Sequence, residues 1–108
     1  MESAFYGYYH VSTDSISKSW HTNEIEAYLL SRKCFENYNA GGFTHDSVFL
    51  TIQLMLVKDY NSWSSSDYNS NETNYISIVT SKKANLIVTN FFRDFGIFLG
   101  WHIIEEAE

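Results

Sequence analysis

The sequence predicts an α+β domain with a ferredoxin-like βαββαβ order, in which a four-stranded antiparallel sheet carries two helices on one face. Two apolar runs, residues 48–57 and 75–80, are separated by a long polar segment, as the strands of one hairpin would be. A stretch of helical periodicity lies on each side of this pair, and a strand-like stretch lies at each end of the chain. Together these observations predict the split βαβ arrangement.

The composition is that of one small acidic domain. With 108 residues, of which 44% are hydrophobic, the chain is long enough for one core and too short for two, so we expect a single α+β domain over residues 1–108. A net charge of −6 argues against nucleic-acid binding and against a polybasic membrane contact, but it permits a basic protein partner. One cysteine, no signal-like N-terminus and no apolar run of ~20 residues favour a cytoplasmic protein.

The first predicted element is a strand over residues 4–13. A period of two places Tyr9 and Val11 on one of its faces and Tyr6, Tyr8 and His10 on the other. Both faces carry aromatic side chains, so the sequence leaves open which of them is buried.

A helix is predicted next, over residues 23–37. Thr22 or Asn23 can cap its first turn, where the negative charge of Glu24 interacts favourably with the helix dipole. The segment 39–42, Asn-Ala-Gly-Gly, supplies the stop signal.

The apolar run 48–57 fits two kinds of secondary structure. Its length and β-branched residues favour a strand, but it also fits a helix that starts from Thr44 or Asp46, and in that case the fold prediction fails. Residues 75–80 are predicted as the partner strand.

The second predicted helix starts from Ser81 and ends at Gly96 or at Gly100. It is apolar on so much of its circumference that we expect it to bury more than one side. Residues 101–105 are predicted as the last strand, and residues 105–108 as an acidic, solvated tail.

The polar segment 58–74 is the candidate recognition site. It is longer than a hairpin needs, and its mixture of Tyr, Trp, Ser and Asn is typical of antibody binding loops. The candidate partner-binding residues are Asp59, Tyr60, Trp63, Asp67, Tyr68 and Glu72. A tolerated surface insertion explains the same composition, and the sequence does not decide between the two.

No pattern in the chain indicates catalysis, a cofactor or a metal. An EF-hand match at residues 67–78 fails because Glu72 occupies the glycine position and Ile78 the bidentate glutamate position. The four histidines and the single cysteine lack metal-ligand spacing. Tyr6, Tyr8 and Tyr75 can share the helix-free face of such a sheet, where RNA-binding domains stack bases. Without a basic-Gly-aromatic motif, packing or a protein interface is the expectation.

We therefore expect a small acidic inhibitor of another protein, of the toxin-immunity or phage anti-defence type, which acts by stoichiometric occlusion of a basic surface. The alternative is a homodimeric small-molecule-binding domain or small enzyme of ferredoxin-like fold, since the over-apolar second helix suits a two-fold interface.

Overall fold

A computed structural model describes residues 6–13, 18–57, 66–81, 86–101 and 103–106. Within these residues the chain is an α+β protein with two helices and an antiparallel sheet, which confirms the predicted class. The elements in chain order are β1 (Tyr6–Ser12), β2 (Trp20–His21), α1 (Thr22–Ser31), β3 (Phe35–Asn39), β4 (Gly42–His45), β5 (Leu50–Val57), β6 (Ser66–Asp67), β7 (Glu72–Thr73), β8 (Tyr75–Ser81), α2 (Leu86–Leu99) and β9 (Ile104–Glu105).

The main sheet has six strands in the order β3-β4-β5-β8-β1-β9, so the prediction of a four-stranded sandwich is wrong. The four predicted strands are present as neighbours, β5-β8-β1-β9, and β3 and β4 extend the sheet beyond β5. β6 also pairs with the end of β5, and β2 and β7 form a separate two-stranded ladder.

The two added strands come from residues predicted as the end of the first helix and its stop signal. The helix ends at Ser31, and Lys33 adopts a left-handed conformation (φ 62°) that turns the chain out of it. Phe35 then faces the core, in contact with His45 and Phe91. The predicted helix stop, including Gly41 (φ 77°), is instead the turn between β3 and β4.

Residues 48–57 contain a strand, which excludes the helical alternative. In β5, Leu50, Ile52 and Leu54 are buried and alternate with partly exposed residues. In β8, Ile76 and Ile78 alternate in the same way and lie opposite them in the register. This is the period-two pattern of a sheet with one buried face.

Both helices cover that buried face. Ile25 and Leu29 of α1 and Phe91, Phe95 and Leu99 of α2 belong to the same core cluster as the buried residues of β5 and β8. The expectation that α2 buries more than one side is wrong, because Leu86 and Ile97 are each about three-quarters exposed. Among the described residues of the predicted last strand, Ile104 and Glu105 form β9.

The return of the polar segment into β8 is fixed by one buried side chain. Asn74 is fully buried, and its amide group pairs with both backbone groups of Val57, accepting from the N–H at 2.7 Å and donating to the carbonyl at 2.9 Å. Its own backbone N–H donates to Met55, and its carbonyl accepts from Thr13. Asn74 therefore joins β5, β8 and the end of β1.

Candidate protein-binding site

β1 determines which side chains face away from the helices. Tyr9 and Val11 lie on the helix side, where the Tyr9 ring contacts Phe92 edge to face at 4.8 Å. Gly7 leaves room for this ring, because a Cβ there would come within 3.0 Å of Tyr9 Cε1. Alternation then places Tyr6, Tyr8 and His10 on the opposite face.

The strand register shows which residues of the other strands lie on this same face of the sheet. Tyr8 pairs with Val79, Val79 with Thr51, Thr51 with Thr44, and Thr44 with Glu36. On the other side of β1, the Glu106 N–H donates to the Tyr8 carbonyl at 2.8 Å, which continues the ladder beyond β9. With strands ~4.8 Å apart, this row spans about 24 Å.

The large side chains of this face are exposed. Among the described residues, the face carries neither helix, and Tyr6, Tyr8, Phe49 and Ile104 are 44%, 40%, 47% and 51% exposed. Tyr6 and Phe49 also contact each other edge to face at 5.3 Å. We call the surface formed by these residues, together with Val79 and the cluster described next, the open face. Large apolar side chains exposed together on one face are typical of an interaction site.

One polar cluster lies within the open face. The rings of His10 and Tyr75 stack in parallel at 5.4 Å, and the Tyr75 hydroxyl donates to Glu106 Oε2 at 3.3 Å. His10 Nδ1 lies 3.4 Å from the same oxygen without hydrogen-bond geometry. Burial, and then the nearby Glu106 carboxylate, raise the pKa of Tyr75 to about 12. Tyr75 therefore stays neutral and remains a hydrogen-bond donor at neutral pH.

The electrostatics of the open face are one-sided. None of the six strands of the main sheet contains a lysine or an arginine, whereas Glu36 and Glu106 lie at the two ends of the central row. Arg32 and Arg93 lie in the helix layer, where both contact Asp94. Within the described strands, the open face therefore combines aromatic surface with carboxylates and carries no lysine or arginine.

Half of the predicted recognition residues fall within the described structure. Asp59, Tyr60 and Trp63 lie outside the described residues. Asp67 is exposed, and its carboxylate accepts a hydrogen bond from the backbone of the following residue. The assignment of these residues to partner binding stays a prediction.

Tyr68 and Glu72 of the same segment contact the domain itself. The Tyr68 hydroxyl donates to Glu26 Oε2 of α1 at 3.1 Å, and its ring lies against Gly41 in the β3–β4 turn. Burial and this carboxylate raise the pKa of Tyr68. Glu72 accepts a hydrogen bond from Ser19 at 2.9 Å. The described part of the segment is thus anchored to α1, to β2 and to the β3–β4 turn.

Sequence reasoning missed Phe49, Ile104 and Glu106 as members of a site, although it placed Tyr6, Tyr8 and Tyr75 together on a helix-free face. The available signal was the parity of each strand, which puts Phe49 on the face opposite Leu50. For Glu106, which was predicted to be solvated tail, the signal is absent locally because its position depends on pairing with β1.

Within the described residues, no group of three or more His, Cys, Asp or Glu side chains is arranged to hold a metal ion. Neither α1 nor α2 combines the length and apolarity that crossing a membrane requires.

Comparison of the chain with protein-family models, with curated proteins and with solved structures found no match.

Proposed function

We propose that this protein binds and occludes another protein, and that the open face is the main contact surface. The observation that carries the proposal is the exposure of Tyr6, Tyr8, Phe49 and Ile104 on one helix-free side of the sheet. Tyrosine and other rigid aromatic side chains are favoured in interfaces because they bury much area at little conformational cost.

The charge of the open face points to the kind of partner. Carboxylates lie at both ends of an aromatic patch whose described strands carry no lysine or arginine. This arrangement favours a partner surface that carries lysine or arginine, and it speeds the approach of such a partner. The central row of about 24 Å is comparable to the width of one side of a standard interface, which buries about 800 Å² per partner. A stoichiometric inhibitor of the toxin-immunity or anti-defence type fits these properties.

The first experiment compares three forms of the tagged protein in pull-downs from the native host, with stoichiometry read by light scattering. The open-face variant carries Tyr8→Thr and Ile104→Thr, which keep β-forming residues at exposed strand positions. The control carries Leu86→Gln and Ile97→Gln, which remove similar apolar surface from the exposed side of α2.

We expect one stoichiometric partner with the wild-type and control proteins and at least tenfold weaker binding by the open-face variant, with unchanged thermal stability. Equal loss in both variants, or retention by the open-face variant, refutes the open face as the contact surface. A Trp63→Ala, Tyr68→Ala variant tests the segment 58–74 in the same assay, and unchanged affinity removes that segment from the proposal.

We also propose that the sheet is ferredoxin-like, with one added hairpin. The neighbours β5-β8-β1-β9 have the order and antiparallel directions of a ferredoxin-like sheet, and the β3–β4 hairpin is then an addition at the β5 edge. Deleting residues 35–45 and joining the chain ends with a short Gly-Ser linker tests this, because a removable hairpin predicts retention of cooperative unfolding.

A second candidate function rests on a cleft of about 430 Å³ between α2 and the β1–β9 side of the sheet. It is lined mainly by Tyr9, Phe92, Trp101 and Ile103, with Arg93 among its lining residues, a combination that suits a small aromatic acid. A thermal-shift screen with benzoate and indole-3-acetate, repeated with Arg93→Gln, tests it. A rise in melting temperature that is lost in Arg93→Gln supports the ligand-binding alternative. If neither acid changes the melting temperature, the alternative is refuted.

A further inference from the structure

We propose that the cluster of His10, Tyr75 and Glu106 on the open face receives an arginine side chain of the partner protein. The inference rests on the proposed function, because it names the chemistry by which the open face selects its partner.

Glu106 is fixed from two directions. Its backbone N–H donates to the Tyr8 carbonyl at 2.8 Å, and its Oε2 accepts from the Tyr75 hydroxyl at 3.3 Å. The other carboxylate oxygen, Oε1, has no hydrogen bond among the described residues, and the side chain is 38% exposed. A carboxylate that is already oriented loses little conformational freedom when a partner donor arrives.

The surroundings of the carboxylate favour a guanidinium over an ammonium group. His10 and Tyr75 form a parallel ring pair, with an interplanar angle of 7°, beside the carboxylate. A guanidinium is planar, donates through paired N–H groups and stacks on aromatic rings, whereas a lysine ammonium is more strongly hydrated and does not stack. The cluster therefore offers both the charge and the flat surface that an arginine uses.

The strands that form the face contain no lysine or arginine. The nearest ionisable base on the face is His10, and its Nδ1 makes no hydrogen bond among the described residues. The Ile104 side chain, on the same face as His10 in the register, adds apolar surface for the aliphatic part of an arginine.

The test uses three capped tripeptides as probes: acetyl-Leu-Arg-Leu-amide, its lysine counterpart and its citrulline counterpart, which keeps the shape of arginine without the charge. Binding is followed by NMR shifts of the ring signals of His10 and Tyr75 and the methyl signals of Ile104, at millimolar peptide. The protein variants are Glu106→Gln and, as the matched control, Glu105→Gln. Glu105 pairs with Tyr9 and therefore lies on the other side of the sheet.

We expect the arginine peptide to bind roughly three- to tenfold more tightly than the citrulline and lysine peptides. The Glu106→Gln variant should lose this preference, and the Glu105→Gln variant should keep it. Equal shifts with all three peptides overturn the arginine site and leave the open face standing as an apolar contact surface. Loss of the preference in both variants also overturns it, because net charge alone then explains the effect. No shift of any open-face signal with any peptide overturns this inference, and the proposed function is then decided by the pull-down with the open-face variant.

Discussion

The amide side chain of Asn74 gives the sharpest test of how this fold is held together. Replacing it with alanine removes both hydrogen bonds to Val57, at 2.7 and 2.9 Å, while Val57 remains only 3% exposed. One backbone donor and one acceptor are then left buried without partners. Each such group costs about 1–3 kcal/mol, so we expect Asn74→Ala to lower the free energy of unfolding by about 3 kcal/mol. For a domain of this size that is a large fraction of the total.

The assay is urea unfolding followed by tryptophan fluorescence, with Asn71→Ala as the control. Asn71 is exposed in the same segment, and its side chain makes no hydrogen bond within the described structure, so its replacement should change stability by less than about 0.5 kcal/mol. Asn74→Asp separates the two bonds, because an ionised carboxylate accepts from the Val57 N–H but cannot donate to the Val57 carbonyl. A loss below about 1 kcal/mol for Asn74→Ala would refute the idea that this side chain completes the ladder between β5 and β8.

Two further predictions concern Gly41 with Tyr68, and Tyr75. Gly41 and Gly100 have nearly the same positive φ, 77° and 75°, but a Cβ at Gly41 would overlap the Tyr68 ring, whereas at Gly100 it would meet no atom within 4 Å. Gly100→Ala should cost about 1 kcal/mol and Gly41→Ala at least twice as much by urea unfolding, and equal costs would mean that the Tyr68 ring does not lie on the turn. Tyr75, with its pKa of about 12, keeps its proton in the folded state while the unfolded chain loses it near pH 10, so stability should fall as pH rises through this window. In an NMR titration of the tyrosine Cζ signals, Glu106→Gln should lower that pKa only part of the way towards 10, because burial is the larger cause of its elevation.

Length and β-branched residues favoured the strand that contains β5, and alternation predicted β8, because burial on one face of a sheet makes apolar residues recur at every second position. In β5 and β8 the apolar residues alternate, and the helical alternative for 48–57 fails because the register pairs Ile52 with Ile78 across the two strands. In α2, Phe91 and Phe95 are four residues apart and both belong to the core, as helical periodicity requires. What the pattern did not show is how much of the helix stays exposed, since that depends on what lies beside it.

The β3–β4 hairpin was missed because its turn uses the residues that also end helices. Glycine with a positive φ closes a helix and closes a tight hairpin for the same steric reason, so Gly41 fits either reading. The residue that distinguishes the two is Lys33, which leaves the helix with φ 62° although it is not a glycine. No local rule predicts that conformation for a lysine.

The candidate site was only half predictable for a related reason. Tyr6 and Tyr8 could be placed on one face from β1 alone, but Glu106 reaches that face through a pairing with a strand almost a hundred residues earlier. From the sequence, the last residues were predicted to be an acidic tail. No local pattern indicates that one of them, Glu106, lies beside His10. Long-range register therefore creates the polar part of the open face.

Three tyrosines show why aromatic composition alone misplaces a recognition surface. Tyr68 lies in the segment that most resembles an antibody loop. Its hydroxyl donates a hydrogen bond to Glu26 and its ring lies against Gly41, so both contact the domain itself. Tyr9 lies beneath α2 because Gly7 leaves space for its ring. Tyr8 has Val79 and Glu106 as cross-strand neighbours, and neither helix lies above it. The exposure of Tyr8 thus follows from alternation along β1, which places it opposite Tyr9, whereas Gly7 and Gly41 provide space for the rings of Tyr9 and Tyr68.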